Sequence, residues 1–214
     1  MGAKARWRTI FLSSLLSTAI VGQEPPHLKL SMKVYDAAHV GSKTVERAEH
    51  LAGKILSTAS VQSSWVAGPV EELGSLGMDF TAYAPKDCCA EPVSAIVRLQ
   101  ILPRAPVDIP PGALGLSLPC ARSGVQVTIF ADRVASVSET AGPTFGRVLG
   151  YVMAHEMGHV LLQSDAHAAA GLMKGTWSKS DWQRAAASII SFSPAEAQRI
   201  AHCTDNSPIG TFFN

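Results

Sequence analysis

The sequence predicts one domain of the α+β class, in which packed helices cover a small, mixed and mostly parallel β-sheet. The chain has 214 residues, of which 47% are hydrophobic and 16% are charged. This is enough apolar material for one substantial core, and the chain is too short to assume two domains. Segments with strand and helix patterns follow one another in the order strand, helix, strand, strand, strand, helix, which is typical of mixed α/β structure.

The first half of the chain predicts three strands and one helix. Apolar and polar residues alternate over 28–35, which indicates a half-buried strand. From 43 to about 59, apolar residues recur at helical spacing, so we expect an amphipathic helix that lies on the sheet. Two further strands are predicted at 61–66 and 93–102, and the Gly-, Pro- and acid-rich segment 67–92 predicts a long loop between them.

The middle of the chain predicts irregular structure, then a strand and a long helix. Five prolines disfavour regular structure over 103–124. The run at 125–131 predicts a strand, either an internal one or an edge strand that would align an extended peptide by main-chain hydrogen bonds. A Gly-Pro loop at 142–143 precedes a helix predicted from about 144 to 162.

The last quarter of the chain predicts a less regular region. Trp177 and Trp182 flank a polar turn, and we expect both indoles to belong to the core. A final helix is predicted to begin at Ser193, because Ser193, Pro194 and Glu196 have the order of an N-cap, a first-turn proline and the acid of a capping box.

The first 22 residues have the pattern of a secretory signal peptide. Three basic residues precede the uncharged apolar stretch 9–22, and polar, proline-rich sequence follows. The stretch is shorter than the roughly 20 apolar residues that span a bilayer. We therefore expect a signal peptide at 1–22, a single domain at 23–214 and a secreted or periplasmic protein, which would be membrane-anchored only if the signal stays uncleaved.

Charge and cysteine content narrow the range of partners. The formal net charge is +1 and falls to −2 without residues 1–22, and no block of like charge occurs, so a nucleic-acid partner is not expected. Export would permit disulfides, and the four cysteines allow three complete pairings, which the sequence leaves open. The cysteines are Cys88, Cys89, Cys120 and Cys203. No two of them have the C-x-x-C spacing that is typical of a metal site built from cysteines.

The strongest chemical signal is the pentapeptide at 155–159, His-Glu-Met-Gly-His. In a helix, His155 and His159 lie one turn apart on the same face, where two imidazoles can converge on one zinc ion. Glu156 is rotated about 100° from His155, so it is better placed to take a proton from a water molecule than to bind the metal. Composition alone would produce this pattern about 0.01 times in such a chain. The alternative is a core helix whose histidines are satisfied by hydrogen bonds.

A catalytic zinc site needs a third protein ligand and one open position. Two candidates follow the pentapeptide: Asp165, six residues after His159, and His167, eight residues after it. Spacing alone leaves both open.

The segment 155–165 resembles the metzincin zinc-binding motif H-E-x-x-H-x-x-G-x-x-H/D. The tripeptide 171–173, Gly-Leu-Met, resembles the Met-turn, and the resemblance implies that Met173 lies beneath the metal. With Asp165 at the last position, the motif resembles that of the small secreted snapalysins. The pattern of uncharacterised secreted bacterial metzincin-like proteins is more similar still, and the specific match covers 148–177.

The resemblance implies a zincin-like fold built around an active-site helix. It divides the domain into an N-terminal subdomain at about 27–164 and a C-terminal subdomain at about 165–214. One residue departs from the motif: Leu162 stands where metzincins have the glycine that ends the helix in a left-handed turn. We therefore expect the helix to run further and the chain to reverse later. A later reversal favours His167 as the third ligand, with Asp165 as the alternative ligand or as a hydrogen-bond partner of a ligating histidine.

Motif and resemblance together imply a monomeric, secreted, zinc-dependent endopeptidase that acts on peptides or proteins. Zn²⁺ would be held by His155, His159 and His167, and Glu156 would act as general base toward water and then as general acid toward the leaving amine. No stable membrane insertion is expected once the signal is removed. Two alternatives remain: a non-catalytic exported protein that keeps the fold and a structural metal site, and a metal-free protein with a plain core helix.

Overall fold

A five-stranded sheet forms the centre of the computed structural model, which describes residues 28–76, 96–121 and 124–205. In chain order the strands are β1 (Leu28–Asp36), β2 (Val61–Ala67), β3 (Ile96–Leu102), β4 (Gly115–Ser117) and β5 (Val127–Phe130). In space they follow the order β2, β1, β3, β5, β4. All neighbouring strands are parallel except β4 and β5, which are antiparallel, so the predicted mixed and mostly parallel sheet is confirmed.

Helices pack on this sheet, as the apolar periodicity predicts. The described helices are α1 (Ser42–Ser57), α2 (Leu73–Leu76), α3 (Ala131–Ala141), α4 (Phe145–Leu162), α5 (Lys179–Ala187) and α6 (Pro194–Asp205). α1 packs closely along α4. The two helices approach at Gly150, where an added Cβ would lie 2.8 Å from the carbonyl oxygen of Ala48. Any side chain at position 150 would therefore push α1 away from α4.

α4 is the central helix of the fold, and 14 of its 18 residues are buried. A helix that is apolar on nearly every side belongs inside a protein, since a surface helix keeps a polar face. Apart from Arg147 and Tyr151 nearer its start, its polar side chains, at 155, 156 and 159, are grouped in its C-terminal half. The core thus holds these three side chains on a rigid element.

Four described elements were not predicted, namely α2, β4, α3 and α5. β4 lies inside the proline-rich segment 103–124, α3 begins directly after β5, and α5 replaces the turn expected between the two tryptophans. The strand predicted at 125–131 is shorter than expected and lies inside the sheet, because β4 takes the edge position. Of the predicted loop 67–92, residues 70–76 form a 3₁₀ turn followed by α2, and residues 77–92 lie outside the described residues.

The end of α4 bears out the expected later reversal by a single residue. Leu162, at the motif's glycine position, is still helical and is the last residue of α4. Gln163 adopts the left-handed conformation (φ 49°, ψ 45°), and Ser164 donates its N–H to the carbonyl oxygen of His159. The reversal therefore falls one residue after the motif's glycine position, on a residue type that adopts positive φ at some cost.

The structure describes two of the four cysteines and does not describe the signal-like segment. Cys120 and Cys203 are both disulfide-bonded, which agrees with structural bridges. Cys88, Cys89 and the signal-like segment 1–22 lie outside the described residues. Within the parts of the chain that the structure describes, no helix has the length and apolarity needed to cross a membrane.

Candidate metal centre

A cleft of about 630 Å³ runs along α4 and contains all the predicted metal ligands. One wall is formed by the segment 110–119, which includes β4, and the other by the segment 174–177 together with Trp182. The ionisable side chains that line the cleft include His155, Glu156, His159, Asp165, His167 and Lys174. Helix, edge strand and the chain after the helix therefore meet at one place.

Two backbone carbonyls fix the rings of the helical histidines. Nδ1 of His155 lies 2.8 Å from the carbonyl oxygen of Leu172, and Nδ1 of His159 lies 2.8 Å from that of Ser164. A carbonyl oxygen only accepts hydrogen bonds, so each Nδ1 carries a proton and donates it. In the neutral ring the other nitrogen, Nε2, then has a lone pair and no proton.

The two Nε2 atoms face each other at 3.2 Å. Since neither carries a proton, no hydrogen bond can join them and their lone pairs repel. A cation between them removes this conflict. Two nitrogens bound tetrahedrally to zinc at about 2.0–2.1 Å lie roughly 3.3 Å apart, so the donor pair fits a zinc ion.

His167 completes a cluster of three imidazoles. Its ring centroid lies 5.4 Å from that of His155 and 4.8 Å from that of His159, and one ring nitrogen from each of the three residues lies within 4.8 Å of the others. The backbone beside it is fixed, because Ala168 donates its N–H to the carbonyl oxygen of Met173 at 2.8 Å. Gly175 leaves room for the ring: a Cβ there would lie 2.9 Å from Cγ of His167.

Asp165 lines the same cleft without joining this cluster. Its side chain is exposed, and the group of potential ligands found among the described residues consists of the three histidines. Its negative charge tends to raise the pKa of His159, although burial of that ring has the larger effect and lowers the pKa overall. The geometry therefore favours the predicted set with His167, whose role as a ligand stays a prediction.

The environment of the helical histidines keeps them neutral. Burial, followed by the proximity of His159, lowers the pKa of His155 to about 4. Neutral imidazole is the form that binds metal ions, so the site is ready for a cation at neutral pH.

Glu156 lies beside the cluster, in the cleft and buried to 7% exposure. Burial raises the pKa of its carboxyl group to about 7, and a hydrogen bond with the side chain of Ser117 works in the opposite direction. Gly115 provides the space for Glu156, because a Cβ at position 115 would lie 3.1 Å from its Oε1 and 2.8 Å from the carbonyl oxygen of Thr128. The edge strand β4 therefore shapes the position of this carboxylate.

Met173 is buried against the underside of α4. A Cβ added at Gly158 would lie 2.3 Å from the sulfur of Met173 and 2.9 Å from the ring of Phe192. The methionine thus occupies the space that a side chain at position 158 would need. The resemblance to the Met-turn implies that Met173 lies beneath the metal, and this role stays a prediction.

Several residues that shape the centre were missed by the sequence reasoning. They are Ser164 and Leu172, whose carbonyl oxygens orient the histidines, the hydroxyl of Ser117, and three glycines, Gly115, Gly158 and Gly175. Two of the glycines carried a usable signal, because Gly158 lies within the pentapeptide and Gly175 follows Met173 by two residues. Ser117 carried none, since its approach to Glu156 depends on pairing between distant segments.

Comparison with known proteins finds similarity in structure only, and no protein-family model or curated protein matches the sequence. A zinc-dependent peptidase from Methanocorpusculum labreanum is 11% identical, with a TM-score of 0.50, and the match covers 79% of this chain and 99% of that one. Archaemetzincin from Methanopyrus kandleri is 14% identical, with a TM-score of 0.49, over 84% of this chain and 96% of that one. The likeness to the peptidase confirms the predicted zincin-like fold.

Proposed function

We propose that this protein is an exported zinc-dependent endopeptidase that uses Glu156 as its general base. The observation that carries the proposal is the pair of unprotonated Nε2 atoms of His155 and His159, 3.2 Å apart in an open cleft with His167 beside them. A peptidase of the same fold is described as zinc-dependent, which supports zinc as the metal.

His155, His159 and His167 would hold the ion, with Asp165 as the alternative third ligand. Three imidazoles form a common donor set of catalytic zinc and leave one coordination position for water or substrate. When bound, zinc supplies a Lewis acid that acidifies water and polarises a carbonyl group. The hydrogen bonds from Nδ1 to the carbonyl oxygens of Leu172 and Ser164 orient two of the rings.

Glu156 moves the proton. Its carboxylate takes a proton from the attacking water as the new C–O bond forms, and gives it to the departing amine nitrogen as the C–N bond breaks. A pKa of about 7 suits both roles, because the group can exist in either form near neutral pH. The cation nearby would favour the carboxylate before attack.

A peptide substrate is proposed from the shape of the site. The cleft is bounded by β4, the last strand of the sheet. An edge strand can pair with an extended chain through main-chain hydrogen bonds. An open cleft along such a strand accommodates residues on both sides of the scissile bond, which favours cleavage within a chain.

Export is proposed from two features. Residues 1–22 have the pattern of a signal peptide, and Cys120 and Cys203 are both disulfide-bonded. Disulfides persist in oxidising compartments outside the cytosol.

The test uses the mature protein, a quenched-fluorescent peptide library and a zinc chelator. We expect hydrolysis that the chelator abolishes and zinc restores. Glu156→Gln should lose at least about 100-fold in activity while it keeps its zinc. Glu139→Gln, at an exposed position, should match the wild type. Retained activity in Glu156→Gln would remove that residue from the mechanism. A wild type that holds zinc but cleaves nothing would favour the non-catalytic alternative.

A further inference from the structure

Arg133 lies on α3, outside the catalytic cluster, and its side chain binds one loop at three points. Nη1 donates to the carbonyl oxygens of Pro110 at 2.5 Å and Ala113 at 2.6 Å, and Nη2 donates to that of Ile109 at 3.1 Å. The guanidinium also stacks over Phe130, with Cζ 5.3 Å from the ring centroid. The side chain is half-buried, so these bonds are partly shielded from water.

The loop at 103–114 needs such a donor. It contains four prolines, each of which lacks an N–H, so the segment has more carbonyl acceptors than its own backbone can satisfy. Arginine presents five N–H donors in a rigid planar fork, whereas lysine presents one ammonium group on a flexible chain. Nη1 and Nη2 of Arg133 reach the three carbonyl oxygens from two fixed positions, which the single nitrogen of lysine does not reproduce.

The neighbouring residue anchors the other end of the same loop. Asp132 donates its N–H to the carbonyl oxygen of Pro103, and its Oδ1 accepts the N–H of Ala105. Asp132 and Arg133 together hold both ends of the loop against the first turn of α3.

The anchored loop leads directly into the cleft. Pro110, Ala113 and Leu114 line it. The next residue, Gly115, begins β4, and a Cβ at this position would lie 3.1 Å from Oε1 of Glu156. The register of β4 relative to β5 is also fixed at this junction, because Phe130 donates its N–H to the carbonyl oxygen of Leu114 at 2.9 Å. A shift of the loop would therefore move the edge strand relative to the general base.

We propose that Arg133 is a positioning residue that fixes the 109–113 rim of the cleft, so that β4 is held in register for binding the main chain of a peptide. This rests on the proposed peptidase function. It assigns Arg133 no contact with substrate or metal. The role predicts weaker substrate binding and a looser rim when Arg133 is replaced, with the zinc site unchanged.

The experiment compares Arg133→Gln and Arg133→Lys with Arg104→Gln, which removes the same charge from an exposed position in the same loop. Hydrogen exchange of residues 103–118, zinc content, and KM and kcat on a quenched peptide are measured for each. In both Arg133 variants we expect faster exchange in 103–118 and a KM raised by about tenfold, with zinc content unchanged. Arg104→Gln should behave as the wild type.

Failure of this inference differs from failure of the proposed function. A wild type that cleaves no peptide overturns the proposed function and this inference with it. An active wild type whose Arg133 variants keep the wild-type KM and exchange overturns the positioning role alone. Loss of zinc or of the folded state in both variants also overturns it, because Arg133 would then support the whole fold.

Discussion

The sulfur of Met173 occupies the space beside Gly158 that a side chain would need: a Cβ added at position 158 would lie 2.3 Å from it. This contact joins the helix that carries His155 and His159 to the segment whose Leu172 carbonyl orients His155. The smallest residue and a flexible thioether thus set the spacing between two parts of the metal centre.

We therefore expect Gly158→Ala to lower both the stability of the protein and its affinity for zinc. The added methyl group must displace Met173, which should cost about 1–3 kcal/mol of unfolding free energy. Zinc affinity should fall as well, since Leu172 moves with Met173. Urea denaturation and a zinc titration check both effects. Gly112→Ala is the matched control, because that cleft-lining glycine has open space around its Cβ position. Equal stability and zinc affinity in the two variants would show that the Met173 contact is unimportant.

Gly115→Ala should separate catalysis from metal binding. Its Cβ would lie 2.8 Å from the backbone oxygen of Thr128 and 3.1 Å from Oε1 of Glu156, so the carboxylate or β4 has to move. We expect peptide hydrolysis to fall by about 100-fold or more, with zinc content unchanged, because the atoms nearest to that Cβ belong to Thr128 and Glu156 and not to the three histidines. Steady-state kinetics and metal analysis of one preparation measure both. Wild-type turnover in this variant would mean that β4 does not position Glu156.

The hydrogen bonds of Asp181 make the unfolding free energy of the protein depend on pH. Its side chain is buried and accepts hydrogen bonds from Lys174 at 2.6 Å, from Ser178 at 2.7 Å and 2.8 Å, and from Arg184. The bonds from Lys174 and Ser178 hold the pKa of this carboxyl well below its usual range. Because the folded state prefers the carboxylate, the stabilisation is complete above the unfolded pKa of about 3.9 and is lost as the pH falls through the lower folded value.

Asp181→Asn should therefore lower the unfolding free energy at pH 7, by about 1 kcal/mol or more through loss of the cap and the ion pairs. The difference from the wild type should shrink below about pH 4. Chemical denaturation of both proteins at pH 7 and pH 3 measures this difference, with the exposed Asp108→Asn as control. A difference that stays constant with pH would contradict the role of the charge.

Local patterns predicted the parts of the fold that bury a regular apolar stripe. β1, α1, β2 and α4 were predicted within one to two residues, because each has the period of its own element. The capping box at the start of α6 is also confirmed, since Ser193 donates its N–H to Glu196 Oε2 at 2.7 Å and Ser193 Oγ accepts the N–H of Glu196.

The missed elements depend on contacts that local patterns do not contain. β4 is three residues long and exists because it pairs with β5, across a proline-rich segment. α3 follows β5 without a loop, and only three of its eleven residues are buried, so its apolar stripe is sparse. α5 did carry a signal: Ser178 and Asp181 form a capping box, and this spacing was overlooked.

The candidate site divides in the same way. The pentapeptide identified His155, Glu156 and His159, because one helix places them together. His167 depends on the reversal at Gln163, where a non-glycine residue adopts the left-handed conformation that the motif assigns to glycine. Sequence spacing left His167 and Asp165 as alternatives, because the path of the chain after a reversal is set by tertiary contacts and not by a local period.

Zinc stoichiometry tests the central claim most directly. We expect the mature protein, isolated without chelators, to hold one zinc ion per chain. His155→Ala, His159→Ala and His167→Ala should each lose it, and Asp165→Ala should retain it. A wild type without transition metal would contradict the account. Strong loss of zinc in Asp165→Ala but not in His167→Ala would assign Asp165 as the third ligand instead of His167.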